Sequence, residues 1–367
     1  MEYSDKYKAF MGLGPERIPH WEHWSCPDGE TYLTGIDYYE HPRLCRERLA
    51  ELYPQLELGI PESDEPRPRP VMDLQGQSSC TDKKGAHRVR WGESISSTWD
   101  WGLGFKTAEE VFAFSPLEQG DFTGIDVVES RDYRDEEKLY ESYRKQYPAE
   151  GGDRAPEGST ASAGFYNTMF MWPLLTFGWE LFLETCLDPR FERIMDEFAE
   201  INRRVFRVFA RLPVNFIVCH DDIVTSRGPV CSPAWMHKYI FPRYEEFWGI
   251  AKAAGKEVIF MVDGCVDAYA DDVIACGARG IISEPHTDYK ALARRYEGGN
   301  LFLAGEGDNR ILTRNDPAEI RRMVESMVET AHMTGGYMMC VGNHIPWNVT
   351  PEGIKRYLDL SAELAHR

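Results

Sequence analysis

Five short apolar runs, each followed by a helical stretch, dominate the chain from about Val214 to Arg367 and limit its fold more than any other feature. Val214–Cys219, Val258–Val262, Gly280–Ser283, Leu301–Ala304 and Tyr337–Val341 have the length and composition of buried strands. Between them, apolar residues recur at helical spacing and stop at Gly255, Gly277, Gly298-Gly299 and Gly335-Gly336. Ser232-Pro233, Asp316-Pro317 and Thr350-Pro351 pair a capping side chain with a proline in the first turn, so each opens a helix. The Ser232-Pro233 helix is expected to run to Gly255. Ahead of the first strand, Phe191, Ile194, Met195, Phe198, Ile201 and Val205 mark one long amphipathic helix. Alternating strands and helices require parallel strands with crossover helices over their faces, which is the grammar of a parallel (β/α) barrel. No glycine-rich phosphate loop follows the first strand, which argues against a dinucleotide-binding sheet.

Each strand ends in side chains that can do chemistry: His220 and Asp222, Asp263, Glu284 and His286, Glu306 and Asp308, and His344. In a barrel, such ends converge on the active site. Acidic residues also cap the helices that follow strands, and capping explains single positions more easily than all five together. Alternation puts His220 with Asp222, Met261 with Asp263, and Ile282 with Glu284 and His286 on shared faces. Cys340 reads as a small core residue.

The first half is less regular. Arg17–His23, Leu56–Ile60 and Ala163–Thr168 are candidate strands, residues 62–70 read as a loop, and residues 129–158 as an exposed helix with a long loop. Trp91, Trp99 and Trp101 fit either an elaborated surface region near a pocket mouth or ordinary packing. With 43% hydrophobic and 13% aromatic residues the chain can fill a large core. A net charge of −19 excludes nucleic acid and anionic membranes as partners. No run of apolar residues is long enough to cross a bilayer, and the N-terminus is polar, so a cytoplasmic location is expected. The nine cysteines form no CxxC pair and read as reduced thiols.

From about Asp188 onward the chain resembles the uroporphyrinogen decarboxylase superfamily, which holds the haem-pathway decarboxylase and the corrinoid- and coenzyme M-linked methyltransferases. The resemblance rests on the order and spacing of His220-Asp221-Asp222, Ser232-Pro233-Ala234-Trp235-Met236 with Pro242 beyond, and Ala253-Ala254-Gly255-Lys256 through Phe260. It continues in Asp263-Gly264, Gly305 to Leu312, and Gly335-Gly336-Tyr337 through Thr350-Pro351-Glu352-Gly353-Ile354. More faintly, Pro15 to Trp21 is similar to the family's N-terminal start. The resemblance implies one (β/α)8 TIM-type barrel over residues 1–367, of class α/β, with an elaborated N-terminal half and 129–158 as an insertion.

Departures from the family pattern favour its methyltransferase-like branch. Arg17-x-Pro19-x-Trp21 is present, but Glu22-His23-Trp24-Ser25-Cys26-Pro27-Asp28 follows it, without the two arginines that hold the porphyrinogen's carboxylates in the decarboxylase. Unpaired carboxylates are costly to bury, so this argues against a tetrapyrrole with eight of them. The methyltransferases' zinc pair, His-x-Cys, falls here on Met261 and Asp263, and the later ligand on Asn343 or His344. The expected catalytic residues are Asp222, Asp263, Glu284 and His344. The expected substrate-binding residues are His220, Trp21, His23, Asp308 and Asn343. Asp263, His286 and His344 are the expected metal ligands, with zinc as the metal. The same residues also allow metal-free acid chemistry. The reaction implied is transfer of a methyl group from a small donor, for example a methyl ether, to a cobalamin on a corrinoid protein. A homodimer is one expected assembly. The alternatives are uroporphyrinogen or small-acid decarboxylation, and a non-catalytic ligand-binding barrel.

Overall fold

The computed structural model describes residues 3–67, 79–81, 87–91, 94–97, 104–123, 130–147, 155–166 and 168–366. Among the described residues, eight strands pair in parallel, in chain order β1 (His20–Trp21), β2 (Leu56–Glu57), β3 (Ser162–Phe165), β4 (Phe216–His220), β5 (Glu257–Met261), β6 (Gly280–Ile282), β7 (Phe302–Ala304) and β8 (Gly336–Met338). The chain divides into two compact units, one made of Met1–Asp100 with Ser283–Arg367, the other of Trp101–Ile282.

In the Trp101–Ile282 unit, β3, β4, β5 and β6 lie side by side, all parallel. In the other unit, β7 pairs parallel with β8 and β1 with β2. A parallel bridge between His20 and Met339, just past β8, brings β1 alongside β8. The five strands expected in the second half are all present, and the three candidates of the first half supply β1, β2 and β3. Tyr337–Val341 is regular only to Met338, and beyond it the chain makes single bridges, Val341 with Gly307 among them. Three antiparallel strands, Ser79–Thr81, His87–Trp91 and Ser94–Ser97, were not expected. Trp99 and Trp101 and the side chain of Trp91 lie outside the described residues, as do residues 68–70 of the expected loop.

Local chemistry explains the helix limits. Ser232 accepts from the Trp235 amide, Asp316 from Ala318 and Glu319, and Thr350 from Gly353, each ahead of a proline that has no amide to satisfy. The helix expected from Ser232 to Gly255 is instead two, Pro233–Tyr239 and Phe241–Ala253. Pro242 sits in the first turn of the second, where it cannot donate to the preceding turn, so the chain bends at Ile240. The long Phe191–Arg211 helix forms as its apolar periodicity predicts. Its buried face stacks Phe198 on Trp172 and Phe206 on Phe247, at 5.5 and 5.4 Å between ring centres. Its outer side receives the Glu136–Gln146 helix, where Tyr143 meets Phe209 edge-on at 4.8 Å. That helix is thus docked by Leu139 and Tyr143 rather than fully exposed, and residues 148–154 of the expected loop lie outside the described residues.

Lys256, from the Ala253-Ala254-Gly255-Lys256 run, buries its ammonium against the carbonyls of Leu212 and Val214 at 2.6 and 2.7 Å. The lysine thereby ties the start of β5 to the segment that leads into β4. Described cysteines are free thiols, most of them buried. Among the described residues no helix is long and apolar enough to cross a membrane.

Candidate functional site

The C-terminal ends of β4 and β5 bring His220, Asp222 and Asp263 together. Among the described residues, they form a group of metal-capable side chains whose donor atoms all lie within 4.8 Å of one another. His220 Nε2 stands 2.9 Å from Asp222 Oδ1, and the same oxygen accepts the Asp263 amide at 2.9 Å. The two strands are in register here: His220 pairs with Met261, and the chain then turns through Asp222 on one strand and Asp263 on the next. Gly264 shapes that turn. Its φ is +127°, and a Cβ there would lie 2.6 Å from the Thr225 carbonyl carbon, so only glycine fits.

Tyr166, one residue past β3, closes the other side, with its ring centre 4.1 Å from that of His220. Burial would lower the His220 pKa, but its hydrogen bond to Asp222 and the charges of Asp222 and Asp263 outweigh this and hold it above the ordinary imidazole value. Burial and the same two aspartates push the Tyr166 hydroxyl well up, so it stays neutral and can donate a hydrogen bond. Asp222 and Asp263 are half-buried, and among the described residues Asp222 Oδ2 has no hydrogen-bond partner. The result is an imidazole and two carboxylates facing a neutral phenol, with the carboxylates open to solvent on one side.

Asp221 has a separate role. Alternation turns it away from His220 and Asp222 into full burial. Its Oδ2 accepts the Met169 and Phe170 amides and the Tyr244 hydroxyl, and its Oδ1 accepts the Met171 amide, all at 2.7–2.8 Å. Burial raises its pKa to about 6 against the pull of these donors. Asp221 therefore anchors the start of the Met171–Phe177 helix.

The other unit gathers a second set. Trp21 ends β1 and His23 lies two residues beyond it, with the His23 ring centre 5.4 Å from that of His344. His344 is buried and bonded through Nδ1 to the amide oxygen of Asn343, whose φ is +64°. Burial, then repulsion from His23, lowers the His344 pKa to about 4, so the ring is neutral. Asp308 caps the Asn309–Arg314 helix, accepting from the Arg310 amide at 2.8 Å and pairing with the Arg310 guanidinium. At that position the capping reading holds. Glu306 is half-buried beneath Ser326 and Tyr337, which donate to it at 3.0 and 2.8 Å. Glu284 packs its backbone against Gly342, and His286 is half-buried close by in sequence. Glu284, His286 and His344 belong to this unit and, among the described residues, enter no group of three metal-capable donors.

Three side chains that shape the site or its scaffold carry no strong signal in the sequence. Tyr166 stands at a strand end, where barrel logic points, but in the irregular first half. Asp221 lies inside the His220-Asp221-Asp222 run, where alternation turns it away from its two neighbours. Glu22 is buried, holds His20 Nε2 and the Tyr357 hydroxyl at 2.7 Å each, and accepts the Val341 amide at 3.2 Å. It fixes the end of β1 from within the core.

A zinc pair at positions 261 and 263 does not fit these residues, since Met261 offers only a thioether and Asp263 a carboxylate. The imidazole at that level is His220, the register neighbour of Met261. Glu22 and His23 follow Trp21, where the decarboxylase's arginines would begin.

No curated protein matches the chain. Residues 185–364 match the family model described as Uroporphyrinogen decarboxylase (URO-D), a family whose fold is the TIM barrel and whose superfamily comprises decarboxylases and methyltransferases. Among the described residues, the strands β3 to β6, β7 with β8, and β1 with β2 all pair in parallel, as that fold requires. The match over residues 185–364 supports the uroporphyrinogen decarboxylase superfamily.

Proposed function

We propose that the protein is a methyltransferase that passes a methyl group from a small methylated donor, such as a methyl ether, to a corrinoid protein. The observation that carries this reading is the His220–Asp222–Asp263 cluster with Tyr166 across it. When a nucleophile takes the methyl group, the donor's heteroatom keeps the bonding pair and gains negative charge. Catalysis requires positive charge or a hydrogen-bond donor waiting at that atom. Two carboxylates around an imidazole concentrate positive charge, as a proton on His220 or as a bound cation, and the neutral Tyr166 hydroxyl can donate to the departing atom. A porphyrinogen needs the opposite, a set of cations for its carboxylates, and this cluster would repel it.

The direct test mixes the full-length protein with cob(I)alamin and a panel of aryl methyl ethers, methylamines and methyl thioethers, following methylcobalamin by its absorption. Methylcobalamin from at least one donor is expected. Asp263→Asn and Tyr166→Phe should each cut its rate about 100-fold, the usual scale for loss of an acid or polar stabiliser. Release of carbon dioxide from uroporphyrinogen, with no methyl transfer from any donor, would overturn the reading.

A further inference from the structure

We infer that His220, Asp222 and Asp263 are the ligands of a divalent metal that prefers nitrogen and oxygen donors, with one coordination side left open. The three donor atoms lie within 4.8 Å of one another. His220 Nε2 and Asp222 Oδ1 are already 2.9 Å apart. Metal–ligand bonds of about 2.0–2.2 Å put adjacent ligands roughly 3 Å apart, so a small ion needs little rearrangement of this pair.

Each ligand is positioned by a different part of the fold. His220 is set by the β4–β5 register and backed by the Tyr166 ring. Asp222 is held by the Asp263 amide through the oxygen that also faces His220, while its Oδ2 is without a partner among the described residues. Asp263 is placed by the Gly264 turn against Thr225. Such support for ligands from their surroundings distinguishes a built site from a chance meeting of acids. An imidazole with two carboxylates carries two negative charges, which suits zinc, manganese or cobalt and excludes a thiol-type copper or cluster site. Three protein ligands with the two carboxylates half-exposed leave room for a substrate oxygen or nitrogen, as catalytic metal sites require. An ion held by these three residues would supply Lewis acidity at the donor's heteroatom, beside the Tyr166 ring.

The inference goes beyond the methyl-transfer reading and is tested without any methyl donor. Full-length, untagged protein is stripped with chelator and titrated with Zn(II) and Co(II), following metal content, the visible Co(II) spectrum and the melting temperature. One equivalent per chain is expected, with a rise in melting temperature. Affinity should fall about tenfold or more in Asp263→Asn and in His220→Gln. His286→Gln and His344→Gln should bind as the parent does. Should His220→Gln fail to fold, Asp263→Asn and Asp222→Asn, both at half-exposed positions, decide the matter. Substoichiometric binding in the parent, or full binding in Asp263→Asn together with Asp222→Asn, would overturn the site. Loss of binding in the His286 or His344 variants alone would do the same. Metal binding without methyl transfer would sink the functional reading and leave this one standing; methyl transfer by a protein that binds substoichiometric metal would do the reverse.

Discussion

His220, Asp221 and Asp222 are consecutive, yet they do two unrelated jobs because a strand sends neighbours to opposite sides. His220 and Asp222 meet Asp263, whereas Asp221 takes four donors inside the core. Removing one acceptor from three buried amides and a buried hydroxyl leaves them all unsatisfied, and each such group costs about 1–3 kcal/mol. Asp221→Ala should therefore destabilise the protein by about 4 kcal/mol or more by urea unfolding. Asp221→Asn should fall between it and the parent, since the amide keeps one acceptor oxygen but turns an NH2 toward backbone donors. A loss below about 1 kcal/mol for the alanine variant would show that Asp221 does not anchor the Met171–Phe177 helix. Tight Co(II) binding by folded Asp221→Asn is expected as well, because Asp221 points away from the cluster.

The turn after β5 shows how an element places a site. Gly264 has φ +127° and lies against the Thr225 backbone, so a methyl group there meets both a forbidden conformation and a carbonyl that cannot retreat. Gly264→Ala should lower stability by about 2 kcal/mol or more and weaken metal binding by displacing Asp263. Gly249, inside the Phe241–Ala253 helix with open space around its Cβ position, is the matched control. Gly249→Ala should be neutral or stabilising by up to about 1 kcal/mol. Equal melting temperatures for the two variants would remove strain from the account of Asp263.

The same contrast explains what could be read in advance. Strands β4 to β8 are continuous apolar runs between glycine stops and proline-marked caps, and such local signals survive folding. Strands β1 and β2 are two residues each, too short to register as periodicity. The break at Ile240 depended on whether Pro242 would fall in a first turn. At the site, His220, Asp222 and Asp263 could all be named from strand ends. That His220 sits level with Met261 is a matter of register, which no single strand reveals. Tyr166 reaches His220 through a neighbouring strand 54 residues away in sequence, a pairing with no local trace.

The family match begins at residue 185, but the structure gives the segment before it essential work in both units. In the Trp101–Ile282 unit, β3 pairs along β4, and the Met169, Phe170 and Met171 amides satisfy Asp221. In the other unit, β1 joins the chain after β8 through Met339, and Glu22 satisfies the Tyr357 hydroxyl and the Val341 amide. A fragment of residues 185–364 would expose the edge of β4 and leave a buried aspartate without its three amides. It would also strip Tyr357 and Val341 of their acceptor. Each of these losses alone is a sizeable share of a typical folding free energy of about 5–15 kcal/mol, and together they exceed what the fragment can spare. Expressed alone, residues 185–364 should show no cooperative thermal transition and should be digested rapidly by trypsin, while the 367-residue chain melts cooperatively and resists. A fragment that melts cooperatively and binds Co(II) as tightly as the whole chain would show instead that the first half is an accessory. Tyr166 and the amides on Asp221 would then have to be dispensable, which the hydrogen bonds at Asp221 contradict.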